Sequence, residues 1–374
     1  MVNNVRKIIS LSKKELEVTT YKNAVILPFK KGKNIWGLGG VVSCNNTFVD
    51  ESGFYSYWAS FGGVYDFECE SIFDFDVIWF GIFTEHWGHF IVDNISRMWF
   101  LLNENKGKKI AYVSKSGKKM HGNYLRFMEL LGVSEEDLIL VTKPTKFKNV
   151  VIPEYSKNDD TYSECYVRIF DSVVNNALAC PDSKQSIGHG EKIYLSRNNY
   201  KNANGKEIGG ELIENIFLAN NYKPVSPEKL VLEEQVKLWN RASEIVCMNG
   251  TLPLNICFSR TQTIRVIVLN KTMLPHENLF DFQKIFNISK VEYIDIFEDF
   301  YKKWAVSLGD GPFILTATNQ LKEYLHSRNM NDTVLDNASN SLLGLSIRKL
   351  KFALYCYGVN KAKSLVKSFL AYFR

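Results

Sequence analysis

Lys192-Ile-Tyr-Leu-Ser196 opens the stretch that decides the fold, which continues to Phe258. This apolar run turns polar at Arg197, as a buried strand does where its last residues reach a crevice. Apolar spacing then predicts an alternation of elements: helix 211–221, strand 222–225, helix 233–241, strand 244–247, and a turn at Met248-Asn-Gly-Thr251 that leads into another helix. This order is that of a doubly wound α/β domain.

Polar residues follow two strands of this predicted sheet. Arg197 comes directly after the first strand, and Asn249-Gly250-Thr251 follows the third. Ligands of such sheets bind outside the carboxyl ends of the strands, where helix N-termini offer free N–H groups to phosphate. A diphosphate between these two ends would accept hydrogen bonds from the backbone on one side and from a guanidinium group on the other.

Four blocks of sequence follow one another along this stretch. They are Tyr194-Leu-Ser-Arg197, Ser226-Pro-Glu-Lys-Leu230, Glu234-Gln235 with Ala242, and Ile245-Val-Cys-Met-Asn-Gly-Thr-Leu-Pro-Leu-Asn-Ile-Cys-Phe258. In order and spacing they resemble glycosyltransferase family 61, which includes bacterial capsular polysaccharide transferases. The resemblance implies a GT-B fold of two Rossmann-like domains facing each other across a cleft, inverting chemistry and little need for a metal.

The resemblance implies that the C-terminal half binds a nucleoside diphosphate sugar. The implied donor-binding residues are Arg197, Lys201, Glu234, Gln235, Asn249, Gly250, Thr251 and Asn255. Glu234 and Gln235 would brace the pocket or bond the nucleoside. A further predicted strand carries second-rank candidates past its carboxyl end, namely Asn270, Lys271 and Glu277.

The chain departs from the family pattern in the last block. Where the family usually has His-Gly-Ala-Gly-Leu, this chain has Asn249-Gly250-Thr251-Leu252-Pro253. An amide can bond a phosphate or a sugar hydroxyl, yet it cannot take up a proton at neutral pH. The departure therefore leaves the role of the usual His to Asn249, or unfilled.

A second informative stretch runs from Thr84 to Trp99 and contains two histidines. If it is helical from Glu85, His86, His89, Asp93 and Arg97 share one continuous face. The stretch also resembles the amino-terminal family block, in which an aromatic-His pair is followed by an acid and then by Arg. The alternative is an ordinary surface helix whose Asp93 and Arg97 form an i, i+4 pair.

The functional hypothesis for this face is general base catalysis. His89 would accept the proton of the acceptor hydroxyl and Asp93 would orient the imidazole, with Glu85 as the reserve base. His86 and Arg97 are second-rank candidates, with a structural role as the alternative for Arg97. Zinc binding would need a fourth ligand that this cluster lacks, so no metal site is expected.

The N-terminal half also alternates predicted strands and helices, which indicates a second Rossmann-like domain. We predict an acceptor-side α/β domain over 1–185, a nucleotide-sugar-binding α/β domain over 186–300, and C-terminal helices with a basic amphipathic tail over 301–374. The chain length of 374 residues fits this division.

Composition excludes several classes of protein. No stretch of about 20 apolar residues is present, and the polar N-terminus does not resemble a secretory signal, so a cytoplasmic location is expected. Seven cysteines without a Cys-x-x-Cys pair indicate reduced thiols. The net charge of +6 comes from the tail, since no acidic residue follows Asp336, and nucleic-acid binding is not expected.

The tail over 339–374 mixes basic and large apolar residues. It suits adsorption to an anionic membrane surface at the inner face of the cytoplasmic membrane, where lipid-linked acceptors would lie. The alternative is a helical cover with a solvated basic side.

The sequence thus predicts an inverting, metal-independent glycosyltransferase that needs no cofactor. It would move a sugar from a nucleoside diphosphate, with UDP as the first choice, to a hydroxyl of a bacterial surface or capsular polysaccharide. The alternative is a non-catalytic nucleotide-sugar or glycan-binding subunit of a polysaccharide assembly, which the Asn249 departure favours.

Overall fold

The computed structural model describes residues 11–34, 36–102, 109–159, 161–184, 186–200, 207–261, 263–274, 276–297, 308–309, 311–336 and 344–358. The chain divides into two compact units. Unit 1 comprises residues 1–182 with 231–236 and 284–286, and unit 2 comprises 183–230, 237–283 and 287–374.

Unit 1 is a mixed α/β unit. Its strands are β1 (Leu11–Ser12), β2 (Val18–Lys22), β3 (Val25–Lys30), β4 (Leu38–Val42), β5 (Phe54–Tyr55), β6 (Ser60–Phe61), β7 (Ser71–Phe83), β8 (Lys109–Ser114), β9 (Leu138–Leu140), β10 (Thr145–Pro153), β11 (Lys157–Asn158) and β12 (Thr161–Ser163). Its α-helices are α1 (Trp87–Val92), α2 (Gly122–Leu130) and α3 (Glu164–Ala179), and short 3-10 helices span Asp50–Ser52, Asn94–Leu102 and Glu135–Asp137.

The main sheet of unit 1 has seven strands in the order β4-β3-β10-β7-β8-β9, with β2 also paired to β10. The pairs β10–β7, β7–β8 and β8–β9 are parallel, whereas β3 and β2 join β10 antiparallel. Residues Val77–Phe83 of β7 are all buried, as expected for a parallel strand covered on both faces. Among the four parallel strands the order is 3-2-1-4, so the Rossmann switch point lies between β7 and β10.

Unit 2 contains the predicted doubly wound sheet. Its strands are β13 (Lys192–Leu195), β14 (Glu207–Ile208), β15 (Lys223–Val225), β16 (Glu244–Met248), β17 (Arg265–Asn270), β18 (Val291–Asp295) and β19 (Phe313–Ile314). The helices of this part of the chain are α4 (Gly210–Leu218), α5 (Leu232–Arg241), α6 (Glu277–Ile285), α7 (Asn319–Ser327) and α8 (344–358), with 3-10 helices over Pro227–Lys229, Leu252–Phe258 and Thr333–Asp336.

The five-stranded sheet of unit 2 is parallel throughout and has the order β15-β13-β16-β17-β18. Numbered along the chain this order is 2-1-3-4-5, which puts the switch point between β13 and β16. The apolar runs of the three central strands β13, β16 and β17 are buried, as expected for parallel strands covered on both faces, whereas the edge strands β15 and β18 are largely exposed or half-buried. The α/β class predicted from the sequence is therefore confirmed, while the cleft between two domains stays a prediction.

Two predicted helices differ from the structure. The helix expected from Glu85 onwards is α-helical only over Trp87–Val92 and continues as a 3-10 helix over Asn94–Leu102. The helix expected after the Met248–Thr251 turn is a 3-10 helix over Leu252–Phe258. Within the described ranges, no helix is both long and apolar enough to cross a bilayer. Of the predicted tail, residues 344–358 are helical, and residues 339–343 and 359–374 lie outside the described residues.

Candidate functional site

A buried carboxylate organises the candidate site of unit 1. Asp93 caps the C-terminus of α1, and one of its oxygens lies 3.2 Å from Nδ1 of His89. The other oxygen accepts a hydrogen bond of 3.1 Å from Nζ of Lys157. The side chains of Asp93 and Lys157 are only 2% and 6% exposed, respectively. A histidine, a carboxylate and an ammonium group thus form one connected chain.

The local sequence explains why His89 and Asp93 meet. His86 begins α1 as its N-cap, with Nδ1 accepting from the backbone N–H of His89 at 3.4 Å. The last α-helical hydrogen bond runs from the Asp93 N–H to the His89 carbonyl at 2.8 Å, so the two side chains lie one turn apart on the same side. The chain turns into the 3-10 helix only after Asp93.

Aromatic rings surround the His89 imidazole. Trp58 stacks on it with ring centroids 4.7 Å apart, Trp36 meets it edge-on at 5.2 Å, and the His86 ring lies 4.6 Å away. Because the Asp93 carboxylate accepts from Nδ1, the neutral tautomer carries its proton there and leaves Nε2 as an acceptor. Within the part of the chain that the structure describes, Nε2 has no hydrogen-bond partner. His89 is therefore arranged to accept a proton.

Two other predicted residues of this stretch do not join the pair. Glu85 lies in an exposed ion cluster, 3.1 Å from Lys118 and 3.3 Å from His121, and the hydrogen bond from Lys118 lowers the pKa of its carboxyl. Arg97 is fully buried, donates to the backbone carbonyls of Pro153 and Glu51, and is therefore structural. The prediction of one continuous face from His86 to Arg97 is wrong, because the helix changes type after Asp93.

Sequence reasoning missed Lys157. It follows the carboxyl end of β10, while His86 and His89 follow the carboxyl end of β7, so the switch point of the sheet brings them together. A lysine four residues past a buried strand is too common to be singled out without the strand order. The pairing of β10 with β7 is the signal that could have identified it.

The candidate site of unit 2 is built on a shared carboxylate. Glu207 accepts from Nε of Arg197 at 3.1 Å and from Nζ of Lys271 at 2.9 Å, and its side chain is 7% exposed. Arg197 follows β13 and Lys271 follows β17, so both cations stand at the carboxyl edge of the sheet. Two cations thus share one carboxylate at this edge, an arrangement that suits an anion. Nη1 and Nη2 of Arg197 are not used by Glu207.

An amide relay runs along the same edge. Nδ2 of Asn249 donates to Oδ1 of Asn270 at 2.8 Å, and Nδ2 of Asn270 donates to Oδ1 of Asp295 at 2.8 Å. Because Asp295 can only accept when ionised, the relay fixes both amides. Oδ1 of Asn249 is buried and has no hydrogen-bond partner in the described structure. One of the two amide protons of Asn249 is thus committed to Asn270, and the backbone N–H groups of the turn are further donors at this edge.

The remaining residues predicted to bind the donor do not all lie at the carboxyl edge of the unit 2 sheet. Gly250 has a φ of 140°, a conformation that favours glycine, and a Cβ there would lie 3.9 Å from Nζ of Lys271. Thr251 precedes the 3-10 helix that contains the buried Asn255. Lys201 lies outside the described residues. Glu234 and Gln235 are buried in α5, within the segment 231–236 that belongs to unit 1. Glu277 is the first residue of α6 and is exposed.

Among the described residues, no group of three or more His, Cys, Asp or Glu side chains is arranged to hold a metal ion. The expectation of metal-independent chemistry stays a prediction.

His276 gives unit 2 an acid-sensitive contact with the Asn249-Gly250 turn. Its Nδ1 accepts from the N–H of Leu279 at 3.3 Å, the ring bonds to the Gly250 backbone, and burial lowers its pKa to about 4. An unfolded histidine titrates near pH 6.5, so below that pH the unfolded chain binds more protons than the folded one.

We therefore expect the free energy of unfolding to decrease as the pH falls from about 6.5 to about 4. Thermal denaturation across this range measures the slope. His276→Asn keeps a side-chain acceptor for the Leu279 N–H and should flatten the slope. An equal slope in the variant would contradict the assignment.

The chain matches one model in a comparison with known protein families. The family model described as Glycosyltransferase 61 matches residues 87–267, just under half of the chain. The matched segment includes His89, Asp93, Lys157, Arg197 and Asn249. Compared with curated proteins, the chain gives no significant match. The family predicted from the sequence blocks is confirmed.

Proposed function

We propose that this chain, whose residues 87–267 match the Glycosyltransferase 61 family model, transfers a sugar with inversion from a nucleoside diphosphate donor to a hydroxyl of a glycan. UDP is the first choice of nucleotide. The acceptor would be a growing bacterial surface or capsular polysaccharide, free or lipid-linked. The protein would work at the inner face of the cytoplasmic membrane, where lipid-linked acceptors lie.

The observation that carries the donor half of this proposal is the placement of Arg197 and Asn249-Gly250 at the two strands that flank the switch point of the unit 2 sheet. Ligands of doubly wound sheets bind at this point. Arg197 retains two guanidinium nitrogens for phosphate oxygens, and Lys271 adds a second cation. These cations would stabilise the leaving diphosphate in place of a divalent ion, so no metal is expected to be needed.

The acceptor half of the proposal rests on the His89–Asp93–Lys157 chain. The oxygen of the acceptor hydroxyl attacks the anomeric carbon of the donor and forms the new glycosidic bond. The bond from that carbon to the diphosphate breaks, and the nucleoside diphosphate leaves with the electron pair. The hydroxyl proton passes to Nε2 of His89, while Asp93 holds Nδ1. An acceptor sugar that bonds Nε2 would also contact Trp58, which stacks on the imidazole.

A second candidate function is a non-catalytic nucleotide-sugar or glycan-binding subunit. The departure at Asn249 favours it, because a carboxamide cannot exchange a proton at this turn. Under this alternative the donor site binds nucleotide, yet no sugar reaches any acceptor and the donor is not hydrolysed.

Nucleotide binding is the first test of the donor site. We expect one of UDP, GDP, CDP, CMP and dTDP to raise the Tm selectively, with EDTA present throughout. Arg197→Ala should weaken that binding by about tenfold to hundredfold, since a charge-assisted hydrogen bond contributes about 1.5–3 kcal/mol.

Arg265→Ala is the matched control for this test. Arg265 also pairs with a glutamate, Glu292, but at the amino end of β17. The control should therefore keep the full nucleotide response. No shift with any nucleotide, or an equal loss in both variants, would contradict the donor site.

A further inference from the structure

One face of α8 (344–358) packs against unit 2. Phe352 and Cys356 are buried and form a cluster with Ile314, against which Leu345 and Ile208 also pack. Arg348 is buried on the same side. These positions recur at a spacing of three or four residues, so they form one side of the helix. The helix is therefore anchored to unit 2 by this side alone among the contacts described.

The opposite side of α8 exposes large apolar side chains. The exposed fractions are 47% for Ile347, 60% for Leu350, 61% for Leu354 and 67% for Tyr357. At about 100° per residue these four positions form one stripe, which lies about 180° from the anchored side. Single exposed apolar residues are common on protein surfaces. Four of them aligned on one helix indicate a surface that becomes buried when it binds a partner.

The charges beside the stripe select among possible partners. Lys351 is exposed and borders the stripe, Lys349 is half-buried and lies farther round the other side of the helix, and residues 344–358 contain no acidic residue. Long lysine side chains can place their ammonium groups at the level of phosphate headgroups while the apolar residues enter the membrane interface. A second copy of the same surface would instead bring lysines against lysines.

We propose that α8 binds the surface of an anionic membrane through the stripe of Ile347, Leu350, Leu354 and Tyr357, with Lys349 and Lys351 contacting lipid phosphates. The anchored side fixes the helix to unit 2, so the stripe would orient that unit toward the bilayer. This surface would hold the protein at the inner face of the cytoplasmic membrane, the location given under the proposed function. It does not depend on the transferase chemistry, because vesicle binding requires neither donor nor acceptor.

Cosedimentation of the full chain with sucrose-loaded vesicles tests this surface. The vesicles contain phosphatidylcholine alone, or phosphatidylcholine with about a third phosphatidylglycerol. We expect binding to the anionic vesicles, and a loss of at least about tenfold in Leu350→Ser/Leu354→Ser because that variant removes two apolar anchors. Lys349→Gln/Lys351→Gln should lose about tenfold on anionic vesicles only.

The matched control is Ile72→Ser/Met273→Ser, which changes two apolar residues that are 73% and 67% exposed away from α8. It should bind as the wild type does. Circular dichroism checks that every variant is folded. The proposal is overturned if wild type binds neither vesicle, if the leucine variant binds normally, or if light scattering shows that this variant merely dissociates a dimer. A nucleotide response in the thermal-shift panel would remain intact under each of these outcomes.

Discussion

His89→Ala is expected to lower the rate of sugar transfer by about 10²- to 10⁴-fold, the contribution of a general base. His89 is the imidazole whose Nδ1 is held by the buried Asp93 and whose Nε2 is open. Without it, the acceptor hydroxyl must lose its proton to water. The measurement is initial rate at saturating donor and acceptor, so that the loss appears in kcat. Nucleotide binding should be unchanged, because Arg197 belongs to the other cluster.

The neighbouring histidine provides the control. His86→Asn keeps a side-chain acceptor that can cap α1, but it removes an imidazole that has no carboxylate partner within hydrogen-bond distance among the described residues. This variant should retain transfer within about tenfold, since loss of a cap mainly affects stability. Equal activity losses in both variants would assign the effect to the helix entrance as a whole. Near-normal transfer by His89→Ala would remove His89 as the base.

Periodicity was sufficient to predict most of the sheet of unit 2. Buried parallel strands are short apolar runs, and β13, β16 and β17 each have such a run that turns polar at its carboxyl end. The same signal does not give the length of β7, because its first half is largely exposed and alternates acidic with apolar residues, whereas its second half is buried throughout. The exposed half of this strand therefore has an alternating pattern of side chains, and the buried half has a continuous apolar one.

The helix type after Asp93 could not be predicted from spacing. Residues 94–102 carry apolar side chains that fit a continuous α-helix, but their backbone is 3-10. In this segment Asn94 accepts from the N–H of Thr84, and Trp99 donates to the carbonyl of Glu154. These contacts join residues that are 10 and 55 positions apart in the sequence. Tertiary hydrogen bonds therefore decide where Arg97 points, and local periodicity does not.

Candidate residues that follow directly from strand ends were easier to find than their partners. Arg197 and Asn249 stand at strand ends and were predicted, whereas Glu207, which binds Arg197, lies in a two-residue strand that pairs with β19 outside the main sheet and has no motif around it. Lys157 was not predicted either, because no motif surrounds it in the sequence. The partner of such a carboxylate or ammonium group depends on the order of the strands in the sheet. No short stretch of sequence predicts that order.

The buried pair of Asp93 and Lys157 is expected to show strong coupling in stability. Asp93→Asn leaves a buried ammonium group without its counter-charge, and Lys157→Met leaves a carboxylate that retains only His89. Each single variant should lose about 3–5 kcal/mol of unfolding free energy, the cost of uncompensated buried charge. Urea unfolding followed by tryptophan fluorescence measures this loss, since Trp36 and Trp58 lie in unit 1.

The double variant distinguishes charge pairing from simple loss of packing. Asp93→Asn/Lys157→Met removes both charges, so it should be more stable than the sum of the two single losses predicts by at least about 2 kcal/mol. The exposed pair of Glu85 and Lys118, whose side chains are 29% and 63% exposed, is the matched control. Its cycle should give at most about 1 kcal/mol, because solvent screens an exposed pair. Additive losses at Asp93 and Lys157 would show that the two residues stabilise unit 1 independently. In that case Lys157 would not be the residue that holds the Asp93 carboxylate in place beside His89.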